Sequence, residues 1–289
     1  MGQSTAELST RLSSMSIDRA WSPWTTIDWP DSLDPEADYF MSPELISIYG
    51  TELYMQLTET QRKRLSFYEN GNFFSFVLLG ERPVVSGMAD RMYSKNTTGP
   101  ITEYLHHFID EENKHMVMFS NFCNRYLGKV YPEKKLMFNR DYSEGEEDLV
   151  FYCRVLIVEE LGDFYNVKML ADERINPFVR RINDLHHRDE ARHLAFGRTW
   201  AAELFERHAS KWDEATLAEF RKWLANYFAS SWTDFYNPSM YKDAGLENPY
   251  QVRQMALQNP VCREFRRQAS ARLVKFFLKH GFLAQEPVL

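Results

Sequence analysis

The chain has 289 residues, of which 44% are hydrophobic and 26% charged, so it is long enough to bury a large core. Its net charge of −7 disfavours a nucleic-acid-binding protein, which usually carries a basic face. The sequence shows no apolar stretch of signal-peptide or membrane-helix type, and its three cysteines are widely spaced. We therefore expect a soluble, cytoplasmic protein with reduced thiols.

The residue pattern predicts helices and no strands. Residues 1–42, which include the Trp- and Pro-rich stretch WSPWTTIDWPDSLDP, are expected to form an irregular arm. Residues 43–289 are expected to form one helical domain, with core helices over about 60–207 and C-terminal helices over 213–289. Four long helix patterns lie at about 59–93, 101–127, 146–170 and 176–207, and shorter ones at 213–230 and about 260–282. The sequence thus predicts an all-α bundle with four long central helices.

Metal-binding side chains recur at helical spacing in two of these segments. In HHRDEARH, His186, Glu190 and His193 are four and three residues apart, which places them on one narrow stripe of a helix. His187 is rotated by about 100° from His186 and is not expected to join them. In EENKH, Glu112 and His115 also share one face. Two Glu-x-x-His pairs, together with a Glu from each of two other helices, hold a pair of iron or manganese ions in bundle cores.

A single Glu-x-x-His pair is weak support for such a site. Random placement of 25 Glu and 8 His would give on average less than one. The chain contains a further pair, Glu103 and His106, that we expect at the surface. Glu103 precedes Glu112 by nine residues, which is about half a turn out of phase. The prediction therefore depends on finding the complete set.

The other two carboxylates follow from the spacing of antiparallel helices. Residues equally far from a turn lie level, so Glu112 should face a residue near position 82, and Glu81 interrupts an apolar run there. In the second half both Glu159 and Glu160 are candidates. Glu81 precedes Glu112 by 31 residues, and Glu159 precedes Glu190 by the same interval, which favours Glu159 and leaves Glu160 open. Pro83 predicts a kink or bulge beside the site.

The motifs resemble those of a known family. DEARH at 189–193 resembles the Asp-Glu-x-Arg-His motif of ferritin-like diiron oxygenases and ribonucleotide reductase small subunits. With the extra His186, the set of four Glu and three His is similar to that of the p-aminobenzoate N-oxygenase (AurF-like) family. LSFYENGNFFSFVLLGE, EENKHMVMF and VEELGDFY occur in the order that this resemblance requires. It implies a ferritin-like four-helix bundle core with additional flanking helices.

The resemblance also implies a cofactor of two iron ions, with manganese as a possible substitute. Carried over by motif, one ion would be held by Glu81, Glu112 and His115. The other would be held by Glu159, His186, Glu190 and His193, with some of the carboxylates bridging the two ions. Asp189 would orient a histidine ligand, and Arg192 would tie helices together.

The function implied by the resemblance is O2-dependent oxidation of an aryl amine, through the hydroxylamine towards a nitro group, in a biosynthetic pathway. An external electron donor is required, and a homodimer is expected for a helical enzyme of this size. Hydroxylation or desaturation of another small or carrier-bound substrate is an alternative, as is a non-enzymatic helical interaction protein. A ribonucleotide reductase small subunit is disfavoured, because Phe119 occupies the position where such subunits usually place a tyrosine.

Overall fold

The computed structural model describes residues 4–94, 97–132 and 141–289. Regular structure in these ranges is helical, apart from an isolated parallel bridge between Tyr39 and Ile175. The α-helices of the described residues are α1 (Thr5–Asp18), α2 (Glu52–Gln56), α3 (Glu59–Arg91), α4 (Pro100–Phe122), α5 (Glu146–Leu170), α6 (Pro177–His208), α7 (Glu214–Trp232), α8 (Pro238–Asp243), α9 (Pro249–Gln258) and α10 (Pro260–Lys279). Short 3-10 turns lie at Pro43–Leu45, Ala209–Lys211 and Thr233–Phe235, and a π turn follows α4 at Cys123–Leu127.

The four long helices α3, α4, α5 and α6 form the core of the molecule. The most extensive contacts join α5 to α6 and α3 to α4, and further contacts join α3 to α5 and α4 to α6. The helix starts follow local chemistry. Thr58 and Gln61 form a capping box at α3, and the Asn176 side chain accepts the Phe178 N–H at α6. The predicted all-α, ferritin-like bundle with flanking helices is confirmed.

Two glycines allow α3 and α5 to approach closely. A Cβ atom at Gly80 would lie 2.8 Å from the Val158 side chain, and one at Gly87 would lie 2.2 Å from the ring of Phe151. Both distances are shorter than packed carbon atoms tolerate, so a side chain at either position would force the neighbouring residue to move. The contact of Gly80 with Val158 also places the next residues of the two helices, Glu81 and Glu159, at the same level of the bundle.

The N-terminal arm differs in part from its prediction. The expectation of an irregular 1–42 is wrong for Thr5–Asp18, which form α1. Ser4 and Glu7 close a capping box at its start, and Leu8 and Leu12 are buried one turn apart, where α1 packs against α4 and α6. Residues 19–42, all of them described, contain no helix and run over the core as expected.

The remaining segments also differ in detail. Between the predicted helices at 213–230 and about 260–282, the segment NPSMYKDAGLENPY holds α8 and the start of α9, each beginning at a proline preceded by an asparagine. Helix α3 stays α-helical through Pro83, so the bulge expected there does not form. The segment YPEKKLMFNRDYSEG, between the predicted helices at 101–127 and 146–170, lies partly outside the described residues, which exclude 133–140. None of the helices in the described ranges is both long enough and apolar enough to cross a bilayer.

Candidate metal centre

The seven side chains that the sequence nominates lie together between the four core helices. Each is at most 2% exposed to solvent. Glu81 lies on α3 and Glu159 on α5. Helix α4 carries Glu112 and His115, and α6 carries His186, Glu190 and His193. The helical periodicity that selected these positions therefore also places them at one level of the bundle.

The ligand atoms form two overlapping groups. One contains Glu81, His115, His186 and Glu190, and the other contains Glu112, His115, Glu190 and His193, with the atoms of each group within 4.8 Å of one another. In the first group, Nε2 of His186 lies 3.3 Å from Glu81 Oε1 and 3.1 Å from Glu190 Oε1. In the second, Nδ1 of His193 lies 2.9 Å from Glu112 Oε1. His115 and Glu190 belong to both groups, so the two groups are adjacent. The Glu190 carboxylate can bridge two ions, whereas Nδ1 of His115 can bind only one.

Glu159 and Glu160 have different surroundings. Glu159 interacts with the Glu190 carboxylate, and the charges of Glu112 and His193 affect its pKa. The Glu160 carboxylate instead forms an ion pair with Arg198 and lies 3.8 Å from Arg272. The geometry thus favours Glu159 over Glu160, in agreement with the repeated 31-residue interval.

The position of His186 differs from the grouping that the resemblance implied. We expected this residue to share an ion with Glu159, Glu190 and His193. The structure keeps it beside Glu190, 3.1 Å from Oε1, but groups it with Glu81 and His115 rather than with His193. The ring centroids of His186 and His115 lie 4.6 Å apart. Seven residues separate His186 from His193, which is about 10.5 Å along a helix, so the two imidazoles occupy opposite ends of the cluster.

Two carboxylates orient His115 and His193 through hydrogen bonds that run between α4 and α6. His115 turns Nδ1 towards the cluster, while its Nε2 lies 3.1 Å from Asp189 Oδ2 on α6. His193 also turns Nδ1 inward, and its Nε2 lies 2.9 Å from Glu111 Oε2 on α4. Because a carboxylate accepts the Nε2–H of each ring, Nδ1 keeps its lone pair for a metal. Glu111 is thus the counterpart of Asp189.

Arg192 joins the elements around these carboxylates. Its guanidinium pairs with both Glu111 and Asp189, and Nε donates to the Ser16 hydroxyl of α1 at 3.1 Å. The prediction that Arg192 ties helices together thus agrees with its contacts. Asp189 also accepts a hydrogen bond from Trp21 Nε1 at 2.7 Å. The sequence did not reveal this partner, because 168 residues separate the two positions.

The third histidine is held by an amide. The Asn166 side chain of α5 lies 2.6 Å from Nδ1 of His186, and Asn166 is fully buried. The amide atom at this distance is Nδ2. For Nε2 of His186 to bind an ion, Nδ1 must carry the proton, and the amide must then be turned so that its oxygen accepts it. Asn166 lies seven residues after Glu159 on α5. This spacing predicts that the two residues share a helix face, but it does not predict the contact of Asn166 with His186.

Burial and mutual repulsion shift the pKa values of the carboxylates in the cluster. Burial raises the pKa of Glu81 to about 8, and burial together with Glu190 and Glu112 raises that of Glu159 well above its usual value. Burial opposes ionisation of Glu190 as well, yet His193, Glu159 and His186 together hold its pKa well below its usual value. Without cations, some of these carboxylates must therefore keep their protons.

This arrangement fits a pair of metal ions. Both carboxylate oxygens of Glu81, Glu112 and Glu159 are buried and have no hydrogen-bond partner in the described part of the chain. Nδ1 of His115 and Nε2 of His186 are also buried without one. Buried polar atoms are normally satisfied, so a converging set of unpaired oxygen and nitrogen donors is the lining that a cation site requires. Carboxylates and imidazoles are the ligands that iron and manganese take in such bundles.

Aromatic rings enclose the centre. Phe108 stacks on His193 with ring centroids 3.7 Å apart, and Phe119 meets His186 edge-on at 4.9 Å. Both phenylalanines are fully buried. The cluster is therefore shielded from water on these sides, and Phe119 offers no phenol hydroxyl where a radical-forming tyrosine would be expected.

The residues that we expected to lie outside the site do so. Glu103 is 69% exposed, and the exposed His106 is bonded to the Tyr93 hydroxyl at 2.8 Å. His187 faces away and bonds Asp163 at 2.5 Å. Another acid of α3, Glu69, is buried about 18 Å along the helix from Glu81 and accepts hydrogen bonds from the backbone and hydroxyl of Ser47.

The chain matches the family model described as p-aminobenzoate N-oxygenase AurF over residues 2–281. A protein of Mycobacterium tuberculosis (strain CDC 1551 / Oshkosh), described as uncharacterized, is 23% identical over 77% of this chain and 65% of its own length. A second, from Mycobacterium bovis (strain ATCC BAA-935 / AF2122/97), is 24% identical over 66% of this chain and 58% of its own. The chain thus spans less than two thirds of these relatives.

Two solved structures share the fold. A variant of R2-like ligand-binding oxidase with an anaerobically reconstituted Mn/Fe cofactor superposes with a TM-score of 0.53, covering 95% of this chain and 93% of its own at 16% identity. R2-like ligand-binding oxidase with an aerobically reconstituted metal cofactor gives a TM-score of 0.50 with the same coverage and identity. At this identity the likeness concerns the helical architecture.

Proposed function

The chain belongs to the p-aminobenzoate N-oxygenase AurF family, and from this we propose that it is an oxygen-dependent diiron oxidoreductase that oxidises the nitrogen of an aryl amine. The product would be the hydroxylamine or its nitroso or nitro derivative, in a biosynthetic pathway. The observation that carries the proposal is the buried set of four Glu and three His, in which six carboxylate oxygens lack a hydrogen-bond partner among the described residues.

We assign the ligands of the two ions from the grouping of their donor atoms. Glu81 and His186 would serve one ion and Glu112, Glu159 and His193 the other, with His115 and Glu190 lying between the two groups. Two ferrous ions supply four positive charges, which the four glutamates balance, so the reduced centre is neutral within an apolar interior. Iron in such a site supplies O2 activation and transfer of an oxygen atom to the substrate.

The protein's own residues prepare the site for this chemistry. Asp189 and Glu111 hold His115 and His193 in the tautomer that leaves Nδ1 unprotonated. Phe108 and Phe119 keep water from the imidazoles. On the sides that these rings cover, solvent water cannot protonate an amine that binds beside the centre.

Iron stoichiometry and product analysis test the proposal. Anaerobically reconstituted protein should bind about two irons per chain, and on mixing with O2 should convert members of a panel of aryl amines to hydroxylamine or nitro products. Product formation on an alkyl or carrier-bound substrate with none on any aryl amine would keep the oxygenase and overturn the proposed substrate class.

Adjacent glutamates provide a matched pair for the ligand assignment. Glu159→Gln should lower the iron content, because it removes a carboxylate that faces Glu190. Glu160→Gln should leave two irons per chain, because it affects ion pairs with Arg198 and Arg272 and not the cluster. The reverse result would transfer the ligand role to Glu160.

A further inference from the structure

Helix α10 carries a row of positive charges along its exposed side. Between Pro260 and Lys279 it has six Lys and Arg residues and one acid, Glu264, although the whole chain has a net charge of −7. Four of these cations are exposed and spaced at multiples of four residues, which places them in one row about 24 Å long. The row consists of Arg263, Arg267, Lys275 and Lys279.

The row has few acidic partners within the described ranges. Glu264 pairs with Arg267 at 2.7 Å, whereas Arg263, Lys275 and Lys279 form no ion pair with any residue in these ranges. Like charges four residues apart on a helix repel each other and lower its stability. The stability of α10 therefore does not explain why these cations are present.

A groove with apolar surface runs beside the row. It has a volume of about 560 Å³, and its lining residues come from α10 and from the segment 286–289. Arg267, Lys275 and Lys279 line it on the α10 side, where Val274 and Leu278 supply apolar surface.

The second wall of the groove is held in place by a hydrogen bond. Arg266 Nη2 donates to the Leu289 carbonyl at 3.5 Å, and the Leu289 side chain packs against the core. Glu286 is the acid of this wall. The cations of the lining outnumber it three to one, so the groove as a whole attracts negative charge.

The combination of a cationic row and an apolar floor indicates the class of ligand. A nucleic acid needs the cations but not the floor, and a flat bilayer contacts the row without entering the groove. A small apolar molecule needs no row of this length. An amphipathic helix with acidic residues along one edge matches both features, because its acids can recur at the same four-residue interval while its apolar side enters the groove.

We propose that this groove is the docking site for an acidic amphipathic helix of another protein. The acids of that helix pair with Arg267, Lys275 and Lys279, and its apolar side covers Val274 and Leu278. Docking requires no iron, so the proposal is independent of the metal centre. Because α10 packs against α5, the docked protein lies on the side of the bundle that α5 forms.

A synthetic helix tests the contributions of charge and apolar contact. The probe is a peptide of about 20 residues with Glu-Leu-Ala-Ala repeats, whose acids follow the four-residue interval. Calorimetric titration of the full chain should show one peptide bound per chain, with affinity falling as salt rises. A Lys-Leu-Ala-Ala peptide should not bind. A Glu-Ser-Ala-Ala peptide should bind at least about 10-fold more weakly, because it lacks the apolar side.

Substitutions at one exposed position of the row locate the binding site. Ala271 lies between Arg267 and Lys275 and lines the groove. Ala271→Lys completes the row and should tighten peptide binding by about 3-fold, whereas Ala271→Glu should weaken it by about 3- to 10-fold. Both variants should keep the wild-type Tm within a few degrees, because Lys and Glu are good helix formers at an exposed site.

Charge reversal outside the groove is the control. Arg11 on α1 and Lys242 on α8 are exposed and do not line the groove. The double variant Arg11→Glu/Lys242→Glu changes the net charge by more than Ala271→Glu does, yet it should bind the peptide as the wild type does. An equal loss of affinity in this variant and in Ala271→Glu would show that only the overall charge attracts the peptide.

Three further results would overturn the proposal. No binding of the Glu-Leu-Ala-Ala peptide at about 1 mM would mean that the row is simply a solvated surface. Equal affinity for the Glu-Ser-Ala-Ala peptide would remove the role of the apolar floor. Binding to phosphatidylglycerol vesicles that is tighter than binding to the peptide, and that Ala271→Glu abolishes, would assign the row to a membrane surface.

Discussion

A histidine binds a metal through one ring nitrogen only when its other ring nitrogen carries the proton. The hydrogen-bond partner of that second nitrogen therefore controls metal binding. Asn166 illustrates this, since its amide lies 2.6 Å from Nδ1 of His186. Asn166→Leu should weaken binding of the ion beside His186 by about 10- to 100-fold, because the ring loses the acceptor that fixes its tautomer. Asn166→Asp, which retains an acceptor, should bind more tightly than Asn166→Leu. The measurement is an iron titration of each metal-free variant.

Asn183 supplies the control for this prediction. It is as buried as Asn166, but its amide donates to the Val179 carbonyl of its own helix at 2.8 Å. Asn183→Leu should therefore cost stability without selectively weakening one iron. If Asn183→Leu and Asn166→Leu weaken iron binding equally, the hydrogen bond to His186 has no special role.

The burial of Glu69 away from the metal centre predicts that stability depends on pH independently of the metal. Burial raises the pKa of Glu69 to about 8, although Ser47 donates two hydrogen bonds to it. The folded state therefore holds a proton that the unfolded state releases at lower pH, so this contribution is fully present below about pH 4.5 and is lost as pH rises through about 8. Glu69→Gln stays neutral, and its stability should fall less than that of the wild type over this range.

Urea denaturation of metal-loaded wild type and Glu69→Gln at about pH 6 and about pH 9 measures this difference. The wild type should lose more unfolding free energy than the variant between the two values, by up to a few kcal/mol. Glu264→Gln is a suitable control, because Glu264 lies on the exposed surface of α10. Parallel pH profiles for all three proteins would show that Glu69 ionises freely in the folded state.

Helix α1 is the element whose importance the sequence understated. Leu12 is 2% exposed where α1 packs against α4 and α6, the two helices that carry the Glu-x-x-His pairs. Leu12→Ala should lower the unfolding free energy by about 2–3 kcal/mol, the usual effect of removing a buried leucine side chain. Arg11→Ala, at the exposed neighbouring position, should change it by less than about 0.5 kcal/mol. Similar values for both would mean that α1 is detached in solution.

The elements of the bundle differ in how far sequence could predict them. Helices α3 to α6 and the level of Glu81, Glu112, Glu159 and Glu190 followed from periodicity and from equal intervals, because both depend on distances along the chain. Helix α1 was missed because its buried face is built largely from Thr and Ser. The contacts of Trp21, Asn166 and Glu111 depend on packing between distant segments, which no local pattern encodes. The grouping of His186 likewise required the helices' relative positions.

At the scale of the whole molecule, the metal centre and the fold depend on each other. Four glutamates lie among apolar side chains in the middle of the bundle. With two dications their charge is balanced, and without them the helices must hold protonated or mutually repelling carboxylates. Chelation of the metal should therefore lower the Tm by roughly 10 °C or more, since each kcal/mol lost corresponds to about 2–4 °C in a domain of this size.

Calorimetry of the wild type and of Glu159→Gln, each with and without metal, separates this effect from a general loss of stability. The pKa of Glu159 is raised well above its usual value by burial and by Glu190 and Glu112. A neutral glutamine should therefore raise the Tm of the metal-free protein and lower that of the metal-treated one, so that the two values converge. A metal-free wild type as stable as the metal-loaded protein would show that the four carboxylates are not held together by cations.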